Sequence, residues 1–306
     1  MCPFAHTCVP SRVLTYTHYP TISTDMLNMV YERRPSYNNS TAISTSVPKN
    51  TLKLLYYILF ALIYGVVGSF ADFVMVNSTW TRGHIKSLWL FAPQPEVLYP
   101  PCDAKGFAKL PLEGSREPII LSIGQFRPEK DHQLQIRSFA ALLKSEPPVS
   151  ATTRLVLLGG VRDAGDQARV DELRLLCASL GVEDRVTFAI NEPYSVLKKY
   201  LAESSVGLHS MWNEHFGIGV VEMMAAGLVT IAHNSGGPKA DIVQDNGRVG
   251  FLATTEAEYC AFMHRAIMNE GGEMDKLREN ARESAFRFSD EVFEERLEGF
   301  LLEKLD

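Results

Sequence analysis

Two carboxylates eight positions apart, Glu214 and Glu222, bracket a glycine-bearing turn in the stretch from Asn213 to Gly227. A carboxylate accepts hydrogen bonds from sugar hydroxyls, and amides at the positive end of a helix suit a diphosphate. The preceding run Ser204 to Ser210 reads as a buried strand, and Gly227 stands where a helix C-cap belongs. Glu214 is therefore expected on a loop at a strand's carboxyl end, and Glu222 about one turn into the next helix. Two acids so placed can hold the two ends of one nucleotide sugar. An isolated pair of this kind would read as two solvated acids on a capped surface helix. The strand–loop–helix setting and the glycines favour the binding site.

A second cluster follows an earlier strand: Gly124-Gln125-Phe126-Arg127-Pro128-Glu129-Lys130-Asp131-His132. Arg127 and Lys130 are two cations on one loop that can both reach a diphosphate, and neutralising it eases its departure. A mixed charge run is ordinarily a solvated loop; here it opens toward the same sheet edge as Glu214. Gly236-Gly237-Pro238 marks another turn after a strand. His209 admits two readings, a group touching the ligand or a satisfied core histidine. No cluster of Asp and His has the composition of a metal site.

These residues need a scaffold, and the chain supplies one by alternation. From Glu117 onward strands Ile119–Gly124, Arg154–Gly160, Arg185–Ile190, the run ending at Ser210, and Val229–His233 alternate with helices. The helices are Gln133–Lys144, Gln167–Leu180, Tyr194–Ala202 and the one bearing Glu222. Near-continuous apolar strands separated by helices imply a parallel sheet covered on both faces, with ligands outside the strand carboxyl ends. Beyond Thr254 the pattern is mainly helical, with Ser289 as N-cap of a last helix. Upstream, Arg12–His18 and Phe73–Ser78 read as strands and Thr79–Trp89 as a helix. The polar stretch Asp25–Lys49 reads as a loop, and the proline-rich stretch from Pro93 to Gly114 as a linker. The expected domains are residues 1–114 and 115–306.

The 306 residues are 46% hydrophobic and 22% charged, enough to bury a substantial core. A net charge of −6 gives no basis for a nucleic-acid partner. Five scattered cysteines without a Cys-x-x-Cys pair suit reduced thiols in a cytosolic setting. The first ten residues lack the apolar core of a secretory signal. Leu54 to Ala71 is uncharged and follows Lys49 and Lys53. Three readings stay open for it: a bilayer span, a helix on the membrane surface, and a buried core helix.

The paired glutamates and the Gly124 loop resemble the retaining family 4 glycosyltransferases of GT-B fold. The resemblance implies an α/β protein with a complete C-terminal Rossmann-like donor domain and a partial N-terminal Rossmann-like acceptor domain. It assigns Glu214 to the transferred sugar, Glu222 to the ribose, and Lys130 and Arg127 to the diphosphate. Gly124, His209, His215, Phe216, Gly217 and Ile218 fall on the donor side, and His18 on the acceptor side. Gln125 stands where the family usually has an arginine, which leaves Arg127 to supply that charge. The family uses no enzyme nucleophile; the acceptor hydroxyl attacks the face that the diphosphate leaves.

Longer blocks, from His18 to Leu27, Val76 to Thr81, His84-Ile85 and Tyr99 to Asp103, are similar to the α-1,2-mannosyltransferases of the dolichol pathway. That resemblance implies GDP-mannose as co-substrate without a cofactor or metal, a dolichol-linked oligosaccharide as acceptor, and the cytosolic face of the endoplasmic reticulum membrane. Other mannosyltransferases of the pathway are further candidate partners. The family begins with a membrane anchor and a glycine-rich half-domain to which nothing here corresponds, so the chain is expected to be an N-terminally truncated form. Two alternatives follow: a chain that binds donor without turnover, and a related retaining transferase for another nucleotide sugar.

Overall fold

The computed structural model describes residues 11–33, 39, 41–112, 116–145 and 147–305. The chain divides into two compact units, Met1–Tyr99 and Pro100–Asp306. The division falls inside the proline-rich stretch. Residues from Pro100 onward belong to the second unit, where Ala104 and Phe107 of the short helix Ala104–Phe107 are buried.

In the first unit β1 (Leu14–Thr17), β2 (Phe73–Val76) and β3 (Glu96–Val97) form a parallel sheet in that order. Val74, Val76, Ile85 and Trp89 make its core. The two-residue β3 follows Pro93 and Pro95, too short and too near prolines to be read from the sequence. The described residues of Asp25–Lys49 are mostly helical, not the loop their polar composition suggested. Helix Thr24–Tyr31 starts at Ser23, whose hydroxyl accepts from the Met26 amide, and Val30 anchors it in the interior. A further turn, Thr41–Ser44, precedes the long helix.

That long helix, Val47–Gly68, begins with Pro48 in its first turn and covers the uncharged run as far as Gly68. It is long and apolar enough to cross a membrane by length and composition, at mean hydropathy 1.8 in its most apolar window. It is not a buried core helix: only Asn50, Gly65 and Gly68 are buried, and Leu62 is 64% exposed. One edge is nevertheless tied down. The Asn50 side-chain amide donates to the Val30 carbonyl at 2.9 Å, and the Tyr64 and Trp89 rings meet edge to face.

The second unit holds six parallel strands: β4 (Glu117–Ile123), β5 (Arg154–Gly159), β6 (Val186–Ile190), β7 (Ser204–Leu208), β8 (Val229–His233) and β9 (Phe251–Ala253). Their order is β6-β5-β4-β7-β8-β9, with every pairing parallel. Three-residue β9 has too little pattern to be legible. The order reverses between β4 and β7, so the loops after these strands part in opposite directions and leave a crevice at their carboxyl ends. Helices His132–Leu142 and Glu256–Met268 bury Ile136, Phe139, Tyr259 and Met263 with Leu155, Val206 and Ile231 of the sheet. The last helix, Asp290–Leu305, starts after Ser289, whose hydroxyl lies 3.4 Å from the Val292 amide.

Candidate active site

The crevice brings together residues of both sequence clusters. Lys130 closes a 3-10 turn, Pro128–Lys130, after β4. Asp131 then turns the chain at φ 45° and caps the next helix by accepting from the Leu134 amide. Glu214 stands on the loop after β7. Lys130 Nζ lies 2.7 Å from Glu214 Oε2, and His209 Nε2 lies 3.2 Å from the same oxygen. An ionised carboxylate only accepts, so Nε2 of His209 carries the shared proton. Burial works to raise the Glu214 carboxyl. The hydrogen bond from His209 and the charges of His209 and Lys130 outweigh it and hold the group well below the usual carboxylate range.

The Glu214 loop is clamped by the next strand's loop. Gly237 N donates to the Glu214 carbonyl at 2.7 Å, and Asn213 N donates to Ser235 Oγ at 2.8 Å. A side chain at Gly237 would place Cβ 2.5 Å from the Phe216 Cα, and one at Gly236 would meet the Glu214 carbonyl at 2.2 Å with φ +62°. The Gly-Gly pair is thus required by close backbone approach. Phe216 is buried edge-on to Phe288. Gly217 (φ 110°) then admits helix Ile218–Ala225. Its Val220 and Val221 amides bond back to the Gly217 carbonyl. The amides of Ile218 and Gly219 have no acceptor among the described residues, and nothing lies within 4 Å of a Cβ built on Gly219. Two donors at this helix N-terminus are thus unpaired among the described residues.

Residues 107–284 match the family model described as glycosyl transferases group 1. The chain belongs to this family. Residues 1–89 of this family member match a second model, ALG11 mannosyltransferase N-terminus. A Mus musculus relative named GDP-Man:Man(3)GlcNAc(2)-PP-Dol alpha-1,2-mannosyltransferase is 50% identical over 289 residues, 92% of this chain and 59% of the relative. A Dictyostelium discoideum protein of the same name is 47% identical over 291 residues, 92% of this chain and 57% of its own. The chain therefore spans somewhat over half the length of the curated relatives it matches. Among solved structures, Anabaena HepE in complex with UDP and glucose superposes at TM-score 0.70 with 18% identity, over 97% of this chain and 73% of that one. A UDP-forming trehalose-phosphate synthase from Burkholderia xenovorans reaches TM-score 0.73 at 11% identity, over 100% of this chain and 72% of that one. The fold is α/β of the GT-B type.

The remaining candidate residues lie as follows. Gly124 faces the Lys130 stem: a Cβ built on it would lie 3.5 Å from the lysine Cγ and Cδ. Arg127 does not join the Lys130–Glu214 pair; its ion-pair partner is Glu129, at 3.7 Å. His215 N lies 3.2 Å from Glu214 Oε1, and Ile218 is exposed. Glu222 is half-buried on the helix and accepts no side-chain hydrogen bond among the described residues; burial, then the charge of Asp103, raises its carboxyl. His18 sits in the first unit, exposed, with its ring edge-on to Tyr16 at 4.8 Å. Among the described residues no group of three or more His, Cys, Asp or Glu side chains is placed to hold a metal ion.

Sequence reasoning missed the supports of the candidate site. Tyr259, wholly buried, donates to the His209 carbonyl at 2.9 Å from fifty residues away. His233 Nδ1 lies 2.8 Å from Ser235 Oγ, the group that holds Asn213. The strand-end position of His233 was a signal; no local pattern pointed to Tyr259.

Proposed function

We propose that this chain carries out retaining transfer of mannose from GDP-mannose, in α-1,2 linkage, to a dolichol-diphosphate-linked oligosaccharide at the cytosolic face of the endoplasmic reticulum membrane. The observation that carries this reading is the Lys130–Glu214–His209 cluster at the reversal point of the sheet, beside the two open amides of Ile218 and Gly219. The names of the relatives supply the donor and acceptor. The exposed apolar helix supports attachment to a membrane. The second unit is then the donor side, and the first unit the acceptor and membrane side.

In this reading the Ile218 and Gly219 amides receive diphosphate oxygens, and Glu222 accepts from the ribose hydroxyls. Glu214, ionised because Lys130 and His209 hold it so, accepts from mannose hydroxyls. Lys130 has three ammonium protons; one goes to Glu214 and one to Met211 Sδ at 3.2 Å, which leaves the third for the diphosphate. The bond between mannose C1 and the phosphate oxygen breaks, and GDP leaves with the electron pair. The acceptor hydroxyl oxygen bonds to C1 on the same face, and its proton passes to the departing phosphate oxygen. Cationic charge fixed at that oxygen stabilises the separation of charge.

The test is incubation of the purified chain with GDP-mannose and a lipid-linked trimannosyl core, read by mass. One added mannose, lost in Glu214→Ala, is expected. GDP binding without transfer would leave a donor-binding chain. Competition by UDP or ADP stronger than by GDP would reassign the donor.

A further inference from the structure

Lys130 is held at both ends. Its ammonium meets Glu214, while its backbone carbonyl is bonded by Ser210, the residue that follows His209 after β7. Ser210 Oγ lies 2.7 Å from the Lys130 carbonyl and 3.1 Å from that of Asp131. Both acceptors are carbonyls, so the hydroxyl must donate, and the shorter distance favours Lys130. Gln135 Nε2, one turn into the helix His132–Leu142, lies 2.7 Å from the same Oγ. With its proton committed, Ser210 can only accept there, which makes Gln135 the donor. The order is therefore Gln135 amide to Ser210 hydroxyl to Lys130 carbonyl. Gln135 and Ser210 are each 2% exposed, so water does not substitute for either bond.

We propose that Ser210 and Gln135 are positioning residues for Lys130, an inference that rests on the donor-site reading above. The buried hydroxyl ties the loop after β4 to the end of β7, across the line where the sheet order reverses. It sets the separation of the two loops that carry Lys130 and Glu214. The Gln135 amide occupies the serine lone pair and so directs the hydroxyl proton at the Lys130 carbonyl. Gln135→Glu keeps the shape and reverses the polarity: a carboxylate accepts from Ser210 and draws the proton away from the loop. Ser210→Ala removes the donor altogether. Both let the Lys130 loop move relative to Glu214, and displacement of a charged group by a fraction of an ångström costs rate more than binding.

The experiment measures kcat and donor KM for Ser210→Ala, Gln135→Glu and the control Ser138→Ala, a buried serine on the same helix. Each is made alone and with Lys130→Ala. Expected is a fall in kcat of about tenfold or more for the first two, with donor KM within about threefold, and little change for the control. In the Lys130→Ala background the Ser210 and Gln135 substitutions should cost nothing further. An equal fractional loss in both backgrounds would show general structural support and overturn the proposal. A second readout needs no activity: the carbon-13 signal of dimethylated Lys130 should move in Ser210→Ala and Gln135→Glu and stay put in Ser138→Ala. An unmoved signal also overturns it. A wild-type chain that transfers no mannose defeats the functional reading alone, because the Lys130 signal still decides the positioning role.

Discussion

Lys130 and Glu214 are 84 residues apart in sequence, yet their charged atoms meet at 2.7 Å where the sheet order reverses. Neither is fully enclosed: the side chains are 24% and 15% exposed. Truncating one partner strands the other charge in a largely dry place, which costs more than the pair is worth. Lys130→Ala and Glu214→Ala should each lower stability by about 2–3 kcal/mol, and the double substitution by less than the sum. Thermal or urea unfolding of the three variants measures this; strict additivity would mean the pair is decoupled. On activity, Glu214→Ala should cost on the order of 10²-fold or more.

Glu222 behaves oppositely. With burial and Asp103 raising its carboxyl and no described donor stabilising its charge, Glu222→Gln should leave the unfolding midpoint unchanged or raise it. The contact proposed for it with the ribose hydroxyls predicts GDP binding weaker by about tenfold in the variant. Calorimetric titration of GDP alongside a melting curve tests both. Since the folded-state value is raised, protonation replaces the charged acceptor by a weaker neutral one as pH falls, and GDP affinity should begin to drop at a higher pH than for an ordinary glutamate.

Acid should destabilise the second unit through two histidines. Burial, then the charges of Lys130, Arg169 and His209, lowers His132 to about 4. Burial, then His209, lowers His233 to about 4, with Glu258 opposing. Both values are depressed in the folded state, so the folded chain binds fewer protons than the unfolded one between the ordinary value of 6.5 and about 4. The stabilisation is present above 6.5 and is lost as pH falls through that window. For the fully buried His132 it amounts to about 3 kcal/mol at most. Unfolding free energy against pH, with His132→Phe losing part of the slope, checks this.

The glycine clamp predicts a steric failure. Gly237→Ala drives a methyl into the Phe216 backbone, and Gly236→Ala adds an unfavourable φ. Each should destabilise by about 2–4 kcal/mol and abolish measurable GDP binding, because the loop that carries Glu214 cannot keep its place. Ala at Gly219, with open space around it, should fold normally; melting curves of the three separate the cases.

The exposed face of helix Val47–Gly68 predicts membrane attachment. Leu55, Leu59 and Leu62 are each more than half exposed. Leu59→Glu with Leu62→Glu should reduce flotation with phospholipid vesicles several-fold without lowering the unfolding midpoint. Unchanged flotation would mean this face does not enter lipid.

The alternation after Glu117, the strand-end positions of Gly124 and Glu214, and the helix carrying Glu222 were all legible, because apolar runs and glycine punctuation are local signals. The helical character of Thr24–Tyr31 was not, since the Ser23 cap and one buried valine decide it against a polar composition. Nor could the uncharged stretch by itself tell a buried helix from an exposed one. That distinction needs the neighbours, and they cover one edge only.

By itself the sequence determined which groups are available and on which elements they ride: two glutamates flanking a helix start, a lysine on a loop, and a parallel α/β sheet. Tertiary structure alone decided that Lys130 and His209 share one oxygen of Glu214, that Arg127 turns to Glu129, and that Ser210 and Gln135 stand behind the lysine. Local pattern is written in neighbouring residues. The strand order that places the loops after β4 and β7 side by side is a property of the whole sheet, and it sets these distances.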